Sequence, residues 1–380
     1  MARMLRTRAA RAQHLPTSPT RLGRAHLTRV RIALLGAAVI VAASVVRFPR
    51  PNYALDPVYT DHLQHEYSAW AFLHIGLRIF DTPKSDWGNV HAAHVHLLWE
   101  QLPSLYPPGL IAFFLPAGVA SNEGLLPDER VHMLMVMLLG VGAALASFQL
   151  VRTLRLAYEP TLAAILGFLG TILFLTAGLD GFIDPLAAGL ALLGIYWAEG
   201  GRPGRALLAL VLGLSLQYRL WYLWPLVLVL VVERRREITR WQLAAAGVVA
   251  AASGVTFGLS VPFVAKFHHI PRITPNALAI THSVNAAQAA ALVAGAIVLG
   301  IVLLHEGPWR GACVALALLL VFAVDQWEVW YPVLFVPLLV VVRTRPAQIA
   351  VTLAFVEAVV YLGGFPDALR FARLYADAVG

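Results

Sequence analysis

The chain has 380 residues, 59% of them hydrophobic and 13% charged, with a mean hydropathy of +0.71 and a formal net charge of +8. An average soluble domain is roughly 25% charged, so a soluble fold is excluded, and uncharged runs near residues 131–150, 160–179 and 241–264 identify an all-α, polytopic membrane protein. The single cysteine, Cys313, excludes a disulfide framework and a cysteine-based metal site.

Eight arginines lie between Arg3 and Arg31, which makes residues 1–29 a basic cytoplasmic tail ahead of a first, uncleaved span at 30–46. The remainder, 30–380, reads as one integral membrane domain whose longest loop, 47–130, is external. Within it, Leu63, Tyr67, Trp70, Leu77 and Phe80 recur at near-helical spacing, which predicts a helix lying against the membrane surface. Its first turn is polar: Asp61 with His65, and His62 with Glu66, are i,i+4 pairs. A partly desolvated carboxylate there can take a proton from a hydroxyl, with an imidazole orienting it, so Asp61, Glu66 and His65 are candidate catalytic residues. The alternative is that Asp61 caps the helix, Glu66 is solvated and the histidines are interfacial. A metal is a third reading because His91, His94 and His96 follow, but their spacing matches no closed site, and no cofactor is expected. The run 106–120 is too short for a full crossing and is expected to re-enter or lie along the outer interface.

Further spans are predicted near 131–150, 160–179, 185–198, 206–217, 220–232, 241–264, 287–304, 311–324, 331–342 and 347–363, about eleven in all. The basic clusters Arg152 and Arg155, Arg202 and Arg205, Arg234 to Arg236, Arg310, Arg343 and Arg345 then share the cytoplasmic side. That requirement makes 206–232 a hairpin turning at Gln217, Tyr218 and Arg219, and 311–342 a hairpin turning at 325–330, where Trp327, Trp330 and Tyr331 are expected to form an outer aromatic belt. The excess positive charge is thereby a topology signal, with no nucleic-acid site behind it. Most acidic residues and histidines fall on the external side. Asp180 and Asp184 sit at the outer end of a span, where Asp184 either contacts substrate hydroxyls or caps the next helix. Arg219 either has a function or snorkels to the headgroups. The loop 266–282 adds Lys266, His268, His269 and Arg272, suited to a phosphate or to lipid headgroups. Glu357, alone in the last span, is expected to hydrogen-bond within the bundle.

The order of Asp61, Ala69, Leu77, Asp81, Pro83 and then Tyr106-Pro107-Pro108, followed by an apolar run to Pro116, resembles the first external loop of the C-type-fold (GT-C) glycosyltransferases that use polyprenyl-phosphate sugars. Gly181-Phe182-Ile183-Asp184, the turn Gly201-Arg202-Pro203-Gly204-Arg205, Gln217-Tyr218-Arg219 and Pro225 are similar, in order, to that family's later segments. Two positions depart: Arg219 stands where the family usually has lysine, and Phe182 replaces a polar residue. The resemblance covers roughly residues 30–240. It implies a mannosyltransferase-like, inverting enzyme of the cell (inner or plasma) membrane with an extracytoplasmic site. The partners it implies are a polyprenyl-phosphate-sugar donor, a lipid or glycan acceptor and membrane lipids. Asp61 would be the general base, and His62, Tyr106, Asp180, Asp184, Gln217, Arg219, Lys266, His268, His269 and Arg272 would bind substrate. The alternatives are a lipid or solute transporter or flippase, and a family member that has lost activity.

Overall fold

A computed structural model describes residues 57–87, 103–179, 181–264, 284–323 and 331–357. The first span, His91, His94, His96, Asp180, the loop bearing Lys266, His268, His269 and Arg272, and the turn 325–330 lie outside them, as do the side chains of Asp61 and Glu357. Among the described residues the fold is all helical: α1 (Pro57–Ile75), α2 (Pro108–Asn122), α3 (Asp128–Ala157), α4 (Pro160–Leu179), α5 (Asp184–Glu199), α6 (Pro203–Leu216), α7 (Trp224–Glu233), α8 (Arg240–Val264), α9 (Val284–Glu306), α10 (Pro308–Ala323), α11 (Pro332–Val341) and α12 (Arg345–Glu357). Prolines 57, 108, 160, 203, 308 and 332 each open a helix, the position where a missing N–H costs nothing.

Three described helices are long and apolar enough to cross a membrane: Asp128–Ala157, Pro160–Leu179 and Arg240–Ser260. Several others are apolar but shorter. Helix α3 runs 30 residues, about 45 Å, longer than the expected 131–150. Asp128 and Glu129 favour its N-terminus and Arg155 its C-terminus. Large apolar side chains stay exposed along α3 and α4, among them Leu134, Leu138, Leu145, Phe148, Ile165 and Phe168, as a lipid-facing surface requires. Between helices, small residues allow close approach: a Cβ on Gly178 would lie 2.2 Å from that of Ala143.

The chain breaks at Gln217, which is extended (φ −148°, ψ 112°), and continues through a 3-10 turn, Tyr218–Leu223, into α7. Tyr218 bonds Thr256 near the end of α8, while Gly204 at the start of α6 packs on Gln242 at the start of α8. Helix α7 therefore returns antiparallel to α6, as the hairpin reading requires. Helices α10 and α11 are likewise antiparallel, because Glu306, the last residue of α9 and two before α10, pairs with Arg310 and accepts the Arg343 N–H beyond the end of α11. Arg343 also pairs with Glu199 at 2.9 Å, and Arg152 stacks on Tyr196. The basic clusters thus gather at one end of the bundle. The opposite end holds the start of α3, the α4–α5 turn, Gln217 and Tyr331.

Helix α1 departs from the surface helix expected of it. His62, Gln64, His65, Glu66 and Ser68 are all buried, whereas Leu77 is 52% exposed. The cause is the company it keeps: α2 lies parallel to it, so close that a Cβ on Gly118 would sit 2.3 Å from the Glu66 carbonyl. Helix α2 is itself 15 residues long, about 22 Å, and short of a roughly 30 Å hydrocarbon core. Its Gly109 sits against Ser215 at the end of α6.

Candidate active site

Two apolar clusters meet at the end opposite the basic clusters. The larger includes Leu150, Leu192, Leu210, Tyr222 and Phe182; the smaller includes Tyr67, Phe80, Leu110, Phe114 and Ile183. The α4–α5 turn spans both, and its shape is set by Gly181 at φ +91°, a conformation that side-chain-bearing residues rarely adopt. Gly181 N–H donates to the Gly178 carbonyl and Phe182 N–H to that of Ala177, the double bond of a Schellman cap, in which the residue after the glycine is usually apolar. Phe182, a departure from the family resemblance, is explained by this cap.

The cap leaves the Gly181 carbonyl for α1. His62 Nε2 donates to it at 2.7 Å, and His62 Nδ1 lies 2.8 Å from His132 Nδ1 on α3. With Nε2–H committed to the carbonyl, the neutral ring accepts at Nδ1, so His132 is the Nδ1–H donor. Burial holds His62 down to about 4 against an ordinary 6.5, which keeps it neutral. One turn along, Glu66 is 1% exposed, its carboxyl beside the Ser121 hydroxyl, which donates to Asp128 at 2.7 Å. Burial and the negative charge of Asp128 push it up to about 8, so at neutral pH it is an acid and not a base. Thus His62 faces His132 and Glu66 neighbours Asp128, two i,i+4 pairs on antiparallel helices.

His65 points elsewhere, edge-on to Tyr106 with ring centroids 4.2 Å apart. Burial, His62 and the charge of Lys84 hold it well below its ordinary range. Lys84, itself buried, donates to Gln64 at 3.2 Å.

On the other side of the turn, Asp184 is 4% exposed and accepts from Gln217 Nε2 at 2.8 Å. Arg219 lies near enough for its charge to act on Asp184, donates to the Tyr331 hydroxyl at 2.7 Å and sits 3.9 Å over that ring. The Asp184 carboxyl is therefore bonded across to α6, and Arg219 is half-buried and held by an aromatic ring. An isolated snorkelling arginine would be neither.

Of the expected residues, His62, Asp184, Gln217 and Arg219 converge around the α4–α5 turn, while His65 and Tyr106 pair one step away and Glu66 turns toward Asp128. Residue 61 directly precedes His62 in α1. Three participants were not expected: His132, Asp128 and Lys84. Tyr331 was expected only in an aromatic belt. Among the described residues no set of three His, Cys, Asp or Glu side chains is grouped to hold a metal ion. No family model, curated protein or solved structure matches the chain.

Proposed function

We propose that this protein is a membrane glycosyltransferase that moves a sugar from a polyprenyl monophosphate to an acceptor hydroxyl on the extracytoplasmic face, across a bundle of about eleven spans. The observation that carries the reading is the meeting of an acid and a cation, Asp184 and Arg219, through Gln217 at the turn where the start of α1 docks. The resemblance of the sequence assigns substrate roles to both residues, which lie in separate segments of the chain. Glycosyl transfer from a lipid phosphate requires a carboxylate to take the acceptor proton and a cation to hold the departing phosphate.

In this reading Asp61 takes the acceptor proton as the new C–O bond forms at the anomeric carbon. The bond to phosphate oxygen breaks on the opposite face, so the configuration inverts. Polyprenyl phosphate leaves with its added charge against Arg219, and Asp184 orients a sugar or acceptor hydroxyl. Glu66 and His65 support α1 from within. The basic end of the bundle faces the cytoplasm, and the membrane is the cell (inner or plasma) membrane.

The assignment of Arg219 is tested by titrating a short-chain polyprenyl-phosphate hexose into the purified protein. The expected result is that Arg219→Gln weakens binding about 10- to 100-fold, the scale of a lost charge-assisted contact. Equal affinity in both proteins would remove Arg219 from the phosphate site.

A further inference from the structure

We propose that His132 is a positioning residue: its Nδ1–H, donated to His62, selects the His62 tautomer that clasps the Gly181 carbonyl and so latches α1 to the turn that presents Asp184. The latch names what holds residue 61 beside that turn. Only its effect on turnover rests on the glycosyltransferase reading.

The geometry requires an ordered chain of donors. Gly181 offers only a carbonyl at 2.7 Å, so His62 must carry its proton on Nε2. His62 Nδ1 is then an acceptor, and the atom 2.8 Å away must be the donor. The rings are packed in this arrangement: the His62 and His132 centroids are 4.6 Å apart, and Phe114 of α2 closes His62 from another side at 5.4 Å. His132 is 2% exposed, like His62, so water does not replace a lost bond.

The same chain has one weak state. One proton added to the pair still leaves a single Nδ1–H between the rings, because neutral His132 then carries its proton on Nε2 and accepts; only a proton on both rings places N–H against N–H across the 2.8 Å contact and opens the latch. The titratable and charged neighbours are His132 and Asp128 on α3, His65 and Glu66 on α1, and Lys84 near His65. Three of them, Lys84 and, once protonated, His65 and His132, oppose a further positive charge. Asp128, and Glu66 once ionised, favour it. Burial settles the balance on the neutral ring down to about pH 4.

Asparagine at 132 separates positioning from packing. Its amide places N–H where Nδ1–H stood, so His132→Asn keeps the donor. His132→Leu keeps volume and loses the donor.

The experiment uses full-length protein in nanodiscs. Nitrogen-15 shifts of its histidines should show one ring protonated only at Nε2 and its partner at Nδ1. Hydrogen exchange of α1 at pH 7 should be the same in the wild type and in His132→Asn. In His132→Leu it should be about 5- to 100-fold faster at pH 7, the range for an orphaned buried acceptor. In an active preparation His132→Leu lowers kcat with KM little changed, and His132→Asn restores kcat. A His62 protonated at Nδ1 at neutral pH, an Asn variant that exchanges as fast as the Leu variant, or unchanged exchange in the Leu variant overturns the proposal. An intact latch signature in a wild-type protein that turns over no donor overturns the glycosyltransferase reading and leaves the latch standing.

Discussion

Replacing Glu66 by glutamine should reshape the pH dependence of stability. Glu66 is buried beside Asp128, and its carboxyl is pushed from 4.5 to about 8. The native protein therefore keeps a proton that the unfolded chain gives up between pH 4.5 and 8, and stability falls as pH rises through that interval by about 1.4 kcal/mol per unit. His62 and His65 work the other way. Both are held below 6.5 in the native state, so the unfolded chain takes up two protons as pH falls from 6.5. The stability they contribute is complete above that value and is lost toward acid. These three groups place the optimum near pH 6.5, with a loss of about 2 kcal/mol between 6.5 and 8 due to Glu66 alone. In Glu66→Gln that alkaline loss disappears, and the acid loss below 6.5 steepens because nothing offsets the histidines. Unfolding in mixed micelles of increasing SDS content, followed by tryptophan fluorescence from pH 4.5 to 8, measures both limbs. An alkaline limb of the same slope in wild type and variant would refute the buried, neutral Glu66.

Other substitutions test the scaffold of the site. Gly181→Ala forces a Cβ into φ +91°, and should cost about 1–3 kcal/mol while loosening the His62 contact, read as faster hydrogen exchange in α1. Gly118→Val places side-chain atoms into the Glu66 carbonyl, 2.3 Å from its own Cβ position. It should destabilise by about 1–3 kcal/mol and lower the melting temperature without altering helix content. Gln217→Leu removes the hydrogen bond to a carboxyl that is 4% exposed, with an expected loss of about 1–3 kcal/mol; an unchanged melting curve would show that Asp184 has another partner in solution.

The frame of the bundle was legible in the sequence because its marks are local. Prolines open helices at Pro160, Pro203 and Pro332, and the arginine clusters predict the grouping seen around Glu199 and Glu306. The break at Gln217 followed from the same charge argument. The surroundings of α1 were not legible. His62, His65 and Glu66 read as a solvated or interfacial turn because what buries them lies 49 to 70 residues later, on α2 and α3. The sequence does hold one sign of it: Asp128-x-x-x-His132 repeats the spacing of His62-x-x-x-Glu66 in reverse order. Only when α1 and α3 are antiparallel does that reversal set histidine against histidine and acid against acid. Tyr331, 112 residues from Arg219, is marked locally only as one of an aromatic group, with nothing beside it that points to an arginine.

The most direct test of the central claim is donor turnover by the purified protein in liposomes, with a polyprenyl-phosphate hexose as donor and a membrane glycolipid extract as acceptor. Wild type should release polyprenyl phosphate as labelled sugar enters the glycolipid, and Asp61→Asn should slow this at least about 100-fold, the scale of a lost general base, while remaining folded. Sugar transfer at the wild-type rate in Asp61→Asn, or no release of polyprenyl phosphate by the wild type, would contradict the account.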